Sequence, residues 1–362
     1  MTMNLFARRR FGLVMAGLVA AASMHAAPAV AQPLSSLQPP HTRGFDYHVI
    51  GEVDEYGLPV DVDVTKPTAQ AIVLEGGEGQ VRDALQWLVA KAGGGNVLVL
   101  RASGGDWYNR MLREQIGGVA SVETIVTRTR DAAHDPFVLD RVARAELIYI
   151  SGGNQADYVR LWQGTPLQHA INSAIRERRV PIGGISAGMM ILGQFAFSAN
   201  RGGVRSAEVE GRPDHARIAL VRNLLSVPGM AHTIVDSHFD TRDRMGRLAM
   251  FMARTVIDGW TSAGEARAIG VGGRAALLIE NGVARVAGGG SVHLLRPQDT
   301  RDASCGDSTL PFRSVRVHRL EAGAAFDLEA WRPHALAPSS SWDVSLGDCD
   351  GRVALGHEQR QD

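Results

Sequence analysis

The stretch Val180-Pro181-Ile182-Gly183-Gly184-Ile185-Ser186-Ala187-Gly188-Met189-Met190-Ile191-Leu192 decides the fold. An apolar run of strand type enters a serine bracketed by Gly, Ala and Gly, and an apolar run of helical type leaves it. A serine on such a strand-to-helix turn has a strained backbone, and only small neighbours avoid clashes while exposing its hydroxyl. The pattern G-x-S-x-G, from Gly184 to Gly188, therefore makes Ser186 a candidate nucleophile. The N–H of Ala187 opens the helix and points to where an oxyanion would form. The alternative is a tight packing turn.

Working outward, the same rhythm repeats. Ala71-Ile72-Val73-Leu74 ends at Gly76-Gly77 and precedes a helical stretch from Val81 to Leu88. Asn96 to Leu100 ends near Gly104-Gly105, Leu147 to Ile150 ends at Gly152-Gly153, and Thr233 to Asp236 leads to His238. Apolar strands alternating with helices predict an α/β fold with a mostly parallel sheet covered on both faces, flavodoxin-like or class I glutamine amidotransferase-like. In such sheets ligands bind at the carboxyl ends of the strands, where the distinctive residues fall. Beyond residue 265 short strand-like runs at 275–279, 284–286, 291–295 and 315–317 predict a C-terminal antiparallel β extension. The expected organisation is a signal peptide at 1–31, a lead-in at 32–69, the α/β core at 70–264, the β-rich extension at 265–334 and an irregular tail at 335–362.

Lys+Arg and Asp+Glu both total 38, which removes the basic surface that non-specific nucleic-acid binding requires. Hydrophobic residues at 45% and charged residues at 21% provide for a sizeable core and exclude wholesale disorder. Arg8-Arg9-Arg10, an apolar stretch from Phe11 to Ala22 and Ala29-Val30-Ala31 form the basic, apolar and A-x-A parts of an export signal. A short membrane anchor is the alternative, and the arginines also fit a twin-arginine signal. The expected location is periplasmic or secreted, with no membrane attachment after cleavage. In that oxidising setting Cys305 and Cys349 are candidates for one disulfide pinning the tail.

No zinc spacing is present, and His232, Asp236, His238 and Asp240 match no metal motif. Gly76-Gly77-Glu78-Gly79 and Gly93-Gly94-Gly95 lack the Lys-Ser/Thr of a phosphate loop and read as tight strand exits. No cofactor is expected. A nucleophilic serine does need a base, and His238 lies just past a strand end on the edge expected for Ser186.

The segment Asp236-Ser237-His238-Phe239-Asp240-Thr241-Arg242-Asp243-Arg244-Met245-Gly246-Arg247-Leu248 resembles the D-x-H-F-x-x-R-x-R-x-G-R-L segment of cyanophycinases, relatives of aspartyl dipeptidase. Gly152-Gly153-Asn154-Gln155 resembles that family's G-G-x-Q loop, and Gly184 to Gly188 its nucleophile turn. The resemblance covers roughly residues 70–280, with the motifs in family order. It implies that Ser186 attacks the scissile carbonyl and His238 takes its proton. It also implies that Gly153 adds a second oxyanion N–H and Gln155 contacts substrate. Asp236, Arg242, Arg244 and Arg247 would line the pocket for an aspartate-derived chain, guanidinium being suited to carboxylates. The implied partner is an aspartate-containing peptide, cyanophycin or a small aspartyl peptide, and the implied assembly a homodimer.

The chain departs from this family at one point. An acidic pair, whose glutamate orients the histidine, is expected after the next glycine-bounded strand, where Gly272-Gly273 stands instead. Three outcomes follow: another acid such as Glu208, Glu210 or Glu265 takes over, a Ser–His dyad works with a backbone carbonyl, or the chain is a catalytically silent binder of acidic peptides. An esterase of the α/β-hydrolase type is a further alternative, and it leaves the arginine series unexplained.

Overall fold

The apolar runs become strands because each can bury both faces. The computed structural model describes residues 44–60, 68–301, 303–305, 308–334, 339–346, 354–355 and 359–360. The expected export signal and Cys349, one half of the expected disulfide, lie outside the described residues.

In chain order the first part comprises β1 (Phe45–Gly51), β2 (Ile72–Glu75), α1 (Arg82–Lys91), β3 (Asn96–Arg101), α2 (Trp107–Arg110), β4 (Ser121–Thr127), α3 (Pro136–Arg144), β5 (Leu147–Ile150), α4 (Gln155–Trp162), α5 (Pro166–Arg176) and β6 (Ile182–Ile185). Next come α6 (Ala187–Met190), β7 (Phe195–Phe197), α7 (Ser206–Val209), β8 (Leu220–Arg222), β9 (Thr233–Asp236), α8 (Met245–Ile257) and β10 (Arg267–Val271). The remainder is strand: β11 (Ala275–Glu280), β12 (Val283–Gly288), β13 (Val292–Asp299), β14 (Ala303–Cys305), β15 (Ser308–Leu310), β16 (Ser314–Leu320), β17 (Ala325–Asp327), β18 (Arg332–Pro333), β19 (Ser339–Ser345) and β20 (Ala354–Leu355).

Two large sheets form, not one, and β14 and β15 pair separately. The first is ten-stranded in the order β1-β4-β3-β5-β6-β2-β11-β12-β17-β18, and the second runs β20-β19-β16-β13-β10-β9-β7-β8. Parallel pairing is confined to β4-β3-β5-β6-β2 in the first sheet and to β10-β9-β7 in the second. The expectation of a mostly parallel sheet is thus corrected to a mixed one. The reason is local: β11 and β12 are joined by Asn281-Gly282, both at positive φ (50° and 78°), a hairpin turn that forces antiparallel pairing. The strand leading to His238 is also not on the sheet of Ser186; β9 belongs to the second sheet.

Period-two alternation distributes the core. Val97 and Val99 of β3 pack with Leu85 and Leu88 of α1 on one face, while Leu98 and Leu100 join the larger cluster on the other. That larger cluster also takes in Ile234 and Val235 of β9 and Ala268 and Ile269 of β10. The starts of α3 and α4 carry side-chain caps: Asp135 accepts from Phe137 N at 2.9 Å ahead of Pro136, and Asn154 accepts from Ala156 N at 3.1 Å.

Strands β1, β4 and β19 are among those that escape the sequence pattern. β4 is fully buried yet half polar, each polar group being satisfied: Ser121 donates to Asn96, Thr124 to Asn109 and Thr127 to the Arg101 carbonyl, at 2.6–3.0 Å. β1 falls in the expected lead-in and pairs antiparallel with β4. β19 falls in the expected irregular tail, where Ser339-Ser340-Ser341 hides the strand, and it pairs antiparallel with β16.

Candidate active site

The two sheets meet backbone to backbone at the carboxyl ends of β2, β9 and β10. Gly76, just past β2, presses against the Gly272 carbonyl so closely that a side chain there has no room. His238 N donates to Gly76 O at 2.9 Å and Phe239 N to Val271 O at 3.1 Å, tying the loop after β9 to both sheets.

Ser186 sits across this seam at the end of β6, with φ 53° and ψ −118°. A non-glycine residue held there is strained, and its neighbours show why it stays: Ser186 N donates to Glu75 O at 3.0 Å, and Met190 N donates to Ser186 O at 3.0 Å. A Cβ on Gly184 would meet Gly188 C at 2.7 Å, so this turn closes only with glycine at 184. The Ser186 Oγ lies 2.9 Å from Nε2 of His238. His238 is itself at positive φ (44°) and only 6% exposed. Gly77, at φ 118°, lies under the imidazole, where a Cβ would stand 2.6 Å from Nε2 and 3.0 Å from the Ser186 Cβ. Burial, then the charges of Arg242 and Arg244, push the His238 imidazole down to about 4, with Glu78 and Asp236 opposing. The ring is therefore neutral at neutral pH and able to accept a proton.

Of the residues expected at the oxyanion, Ala187 opens α6, so its N–H has no partner within the helix. Gly153 lies in the loop after β5 at φ 149°, and the adjacent Gly152 packs on Ser186, a Cβ there standing 3.4 Å from the Ser186 Cβ. Gln155 begins α4 beside this loop and is half-buried.

The arginines divide. Asp236 is fully buried, and Arg247 clamps it in a fork, Nε to Oδ2 at 2.7 Å and Nη2 to Oδ1 at 2.6 Å. Arg247 also donates to Val204 O at 2.9 Å and lies over the rings of Phe197 and Phe251. Arg244 donates to Asp236 Oδ1 at 2.9 Å and to Ser237 O at 2.8 Å. These two guanidinium groups thus face an internal carboxylate. Arg242 is exposed, and with Arg205 and Arg217 it lines a cavity of about 720 Å³ that Arg244 and Arg247 also border. A second cavity, of about 680 Å³, is lined by Phe239, Asp240, Ser291, His293 and Trp342; Ser186 and His238 line neither.

The acids proposed as replacements have other partners. Glu208 accepts from Arg217 at 2.6 Å and from Arg205 N at 2.7 Å, and Glu265 accepts from Ser262 at 2.7 Å. Glu210 sits at the C-terminal cap of α7. No backbone carbonyl receives Nδ1 of His238 either; that atom is buried without a hydrogen-bond partner among the described residues. The acid that faces it is Glu78, with Oε1 at 4.0 Å. Sequence reasoning passed over Glu78 as part of a glycine-rich strand exit. The available signal was a carboxylate bracketed by glycines at the carboxyl end of a parallel strand. Among the described residues no group of three or more His, Cys, Asp or Glu is placed to hold a metal ion.

Comparison with known proteins bears on this geometry. The model of peptidase family S51 matches residues 105–279, a stretch that includes Ser186, His238 and the arginine series. Over that stretch the chain resembles peptidase family S51. The chain is also similar to the cyanophycinase of Synechococcus elongatus, 27% identical over 216 residues. That match covers 58% of this chain and 62% of the relative's length. The cyanophycinase of Trichormus variabilis is 25% identical over 229 residues, covering 62% of this chain and 70% of the relative. A crystal structure of a peptidase from an acI-B1 Actinobacterium aligns over 72% of this chain and 97% of that one, at 19% identity and a TM-score of 0.47.

Proposed function

We propose that this chain is an exported serine peptidase that cleaves a peptide or isopeptide bond next to aspartate. The observation that carries the proposal is the 2.9 Å contact between the Ser186 hydroxyl and Nε2 of a neutral, buried His238. Ser186 Oγ attacks the scissile carbonyl as its proton passes to Nε2. The N–H groups of Ala187 and Gly153 hold the resulting oxyanion. The C–N bond then breaks, and the leaving amine takes the proton from the imidazolium. Water adds to the acyl ester while giving a proton to Nε2, and as the intermediate collapses the imidazolium returns that proton to Ser186 Oγ and the acid product leaves.

Aspartate preference rests on Arg242 and its cavity, which offer a cationic wall to a carboxylate-bearing chain beside His238. Arg244 and Arg247 support that wall through Asp236. Similarity to cyanophycinases agrees with this substrate class. Export follows from the amino-terminal basic and apolar pattern.

The test is release of dipeptide or amino acid from cyanophycin and from a panel of α- and β-aspartyl peptides. Wild type is expected to turn over at least one of them, and Ser186→Ala to lose about 10⁴-fold or more in kcat. Saturable binding of the same peptides without turnover would instead support a silent binder.

A further inference from the structure

We infer that Glu78 is the positioning carboxylate of His238, delivered from the loop after β2 into the volume that Gly273 leaves open. The inference rests on the serine peptidase reading and supplies the member that Gly272-Gly273 removes from its expected place.

Gly272 and Gly273 are buried, and neither has the positive φ that would itself call for glycine. What excludes a side chain at 273 is Glu78: a Cβ there would stand 2.8 Å from its Cγ, 2.7 Å from its Cδ and 2.8 Å from its Oε2. The neighbouring position is filled in the same way, since a Cβ on Gly272 would collide with the carboxylate of Asp240 and lie 2.7 Å from Ser291 O. Two carboxylates carried on other loops thus occupy the space beside the two glycines.

Glu78 N donates to Gly273 O at 2.6 Å, and Gly273 N donates to Asp240 Oδ1 at 2.9 Å. His238 N donates to Gly76 O, two residues before Glu78. One short turn therefore anchors both the acid and the histidine. The next residue back, Glu75, fixes the base of the acid's loop, accepting from Val81 N at 2.9 Å and from the Tyr149 hydroxyl at 2.8 Å.

Nδ1 of His238 is buried and lacks an acceptor, and a buried donor without one is costly. Glu78 Oε1 stands 4.0 Å away on a side chain 38% exposed, so rotation about its own bonds closes the gap. A carboxylate at Nδ1 fixes the proton there and turns the lone pair of Nε2 toward Ser186. Hydrogen bonds of this kind often tighten only when substrate is bound.

The experiment uses the mature chain and a fluorophosphonate probe, which needs an activated serine but no knowledge of the substrate. Ser186 Oγ displaces fluoride at phosphorus while its proton goes to His238. Wild type is expected to label and Ser186→Ala not to. Glu78→Gln, folded to the same melting temperature, should slow the maximal labelling rate about 100-fold or more while half-saturation stays put. It should also remove the low-field Nδ1 proton resonance of His238. The exchange variant Glu78→Gly with Gly273→Glu, which returns the carboxylate from the opposite loop, should recover labelling to within about tenfold of wild type. If Glu78→Gln labels within twofold of wild type and keeps the resonance, the role given to Glu78 is overturned and the serine reading stands. If wild type does not label, or Ser186→Ala still does, both fall together.

Discussion

His238 is where opposing charges meet. Burial and the cations of Arg242 and Arg244 drive its imidazole toward the neutral form, and Glu78 and Asp236 pull the other way. Because the base must be unprotonated to act, activity falls as pH drops through the value of the folded ring. The acid limb of kcat/KM should therefore lie near pH 4, well below the 6.5 of an unperturbed histidine. Arg242→Gln removes one of the depressing charges and should move that limb upward. A wild-type limb at pH 6 or above, or no movement in the variant, would sink this account of the ring. At this scale the sequence exposes Ser186 and His238, since each follows a recognisable strand end. It also exposes the chemistry of the arginines, guanidinium against carboxylate. Their partner is not legible: Asp236 itself takes two of them, a choice made by burial and not by spacing. Glu78 is hidden for a related reason, because its pairing with His238 is a contact between distant loops that leaves no local pattern.

Between elements, Asp236 joins the end of β9 to the first turns of α8 through Arg244 and Arg247. Breaking one side of a buried pair leaves uncompensated charge. Asp236→Asn should accordingly cost about 3–5 kcal/mol, read as a lowered denaturant midpoint at unchanged slope. Serine labelling should fall with it, because His238 follows Asp236 by two residues. A variant with wild-type stability would mean that the two guanidinium groups find other acceptors. Element type was largely readable where burial is apolar, as in β2, β3, β5 and β9. It was not readable in β4, where Glu123 is buried with Arg141 at 3.5 Å and the Tyr47 hydroxyl at 2.7 Å. Polar residues satisfied inside a core look, in sequence, like polar residues in water.

Across the whole molecule the mixed character comes from strands added antiparallel at the sheet edges. β19 protects β16, and residues 339–346 bury Val344 and Leu346. Ending the chain at residue 338 should lower Tm by on the order of 5–10 °C and promote association through the bared strand, seen by calorimetry and size exclusion. An unchanged Tm and elution volume would show that this edge is dispensable. Sheet membership was the least legible property, since parallel and antiparallel neighbours share one apolar code until a turn such as Asn281-Gly282 decides between them. The strands of the two sheets also alternate along the chain: β6 belongs to the first, β7 to β10 to the second, β11 and β12 to the first again. The loop carrying His238 needs Val271 on one side and Gly76 on the other, and β2, which leads into Gly76, is paired on its far side by β11. Most of the polypeptide must therefore be made before Ser186 and His238 are brought together, so on the serine peptidase reading a truncated translation product would hold the serine without its base.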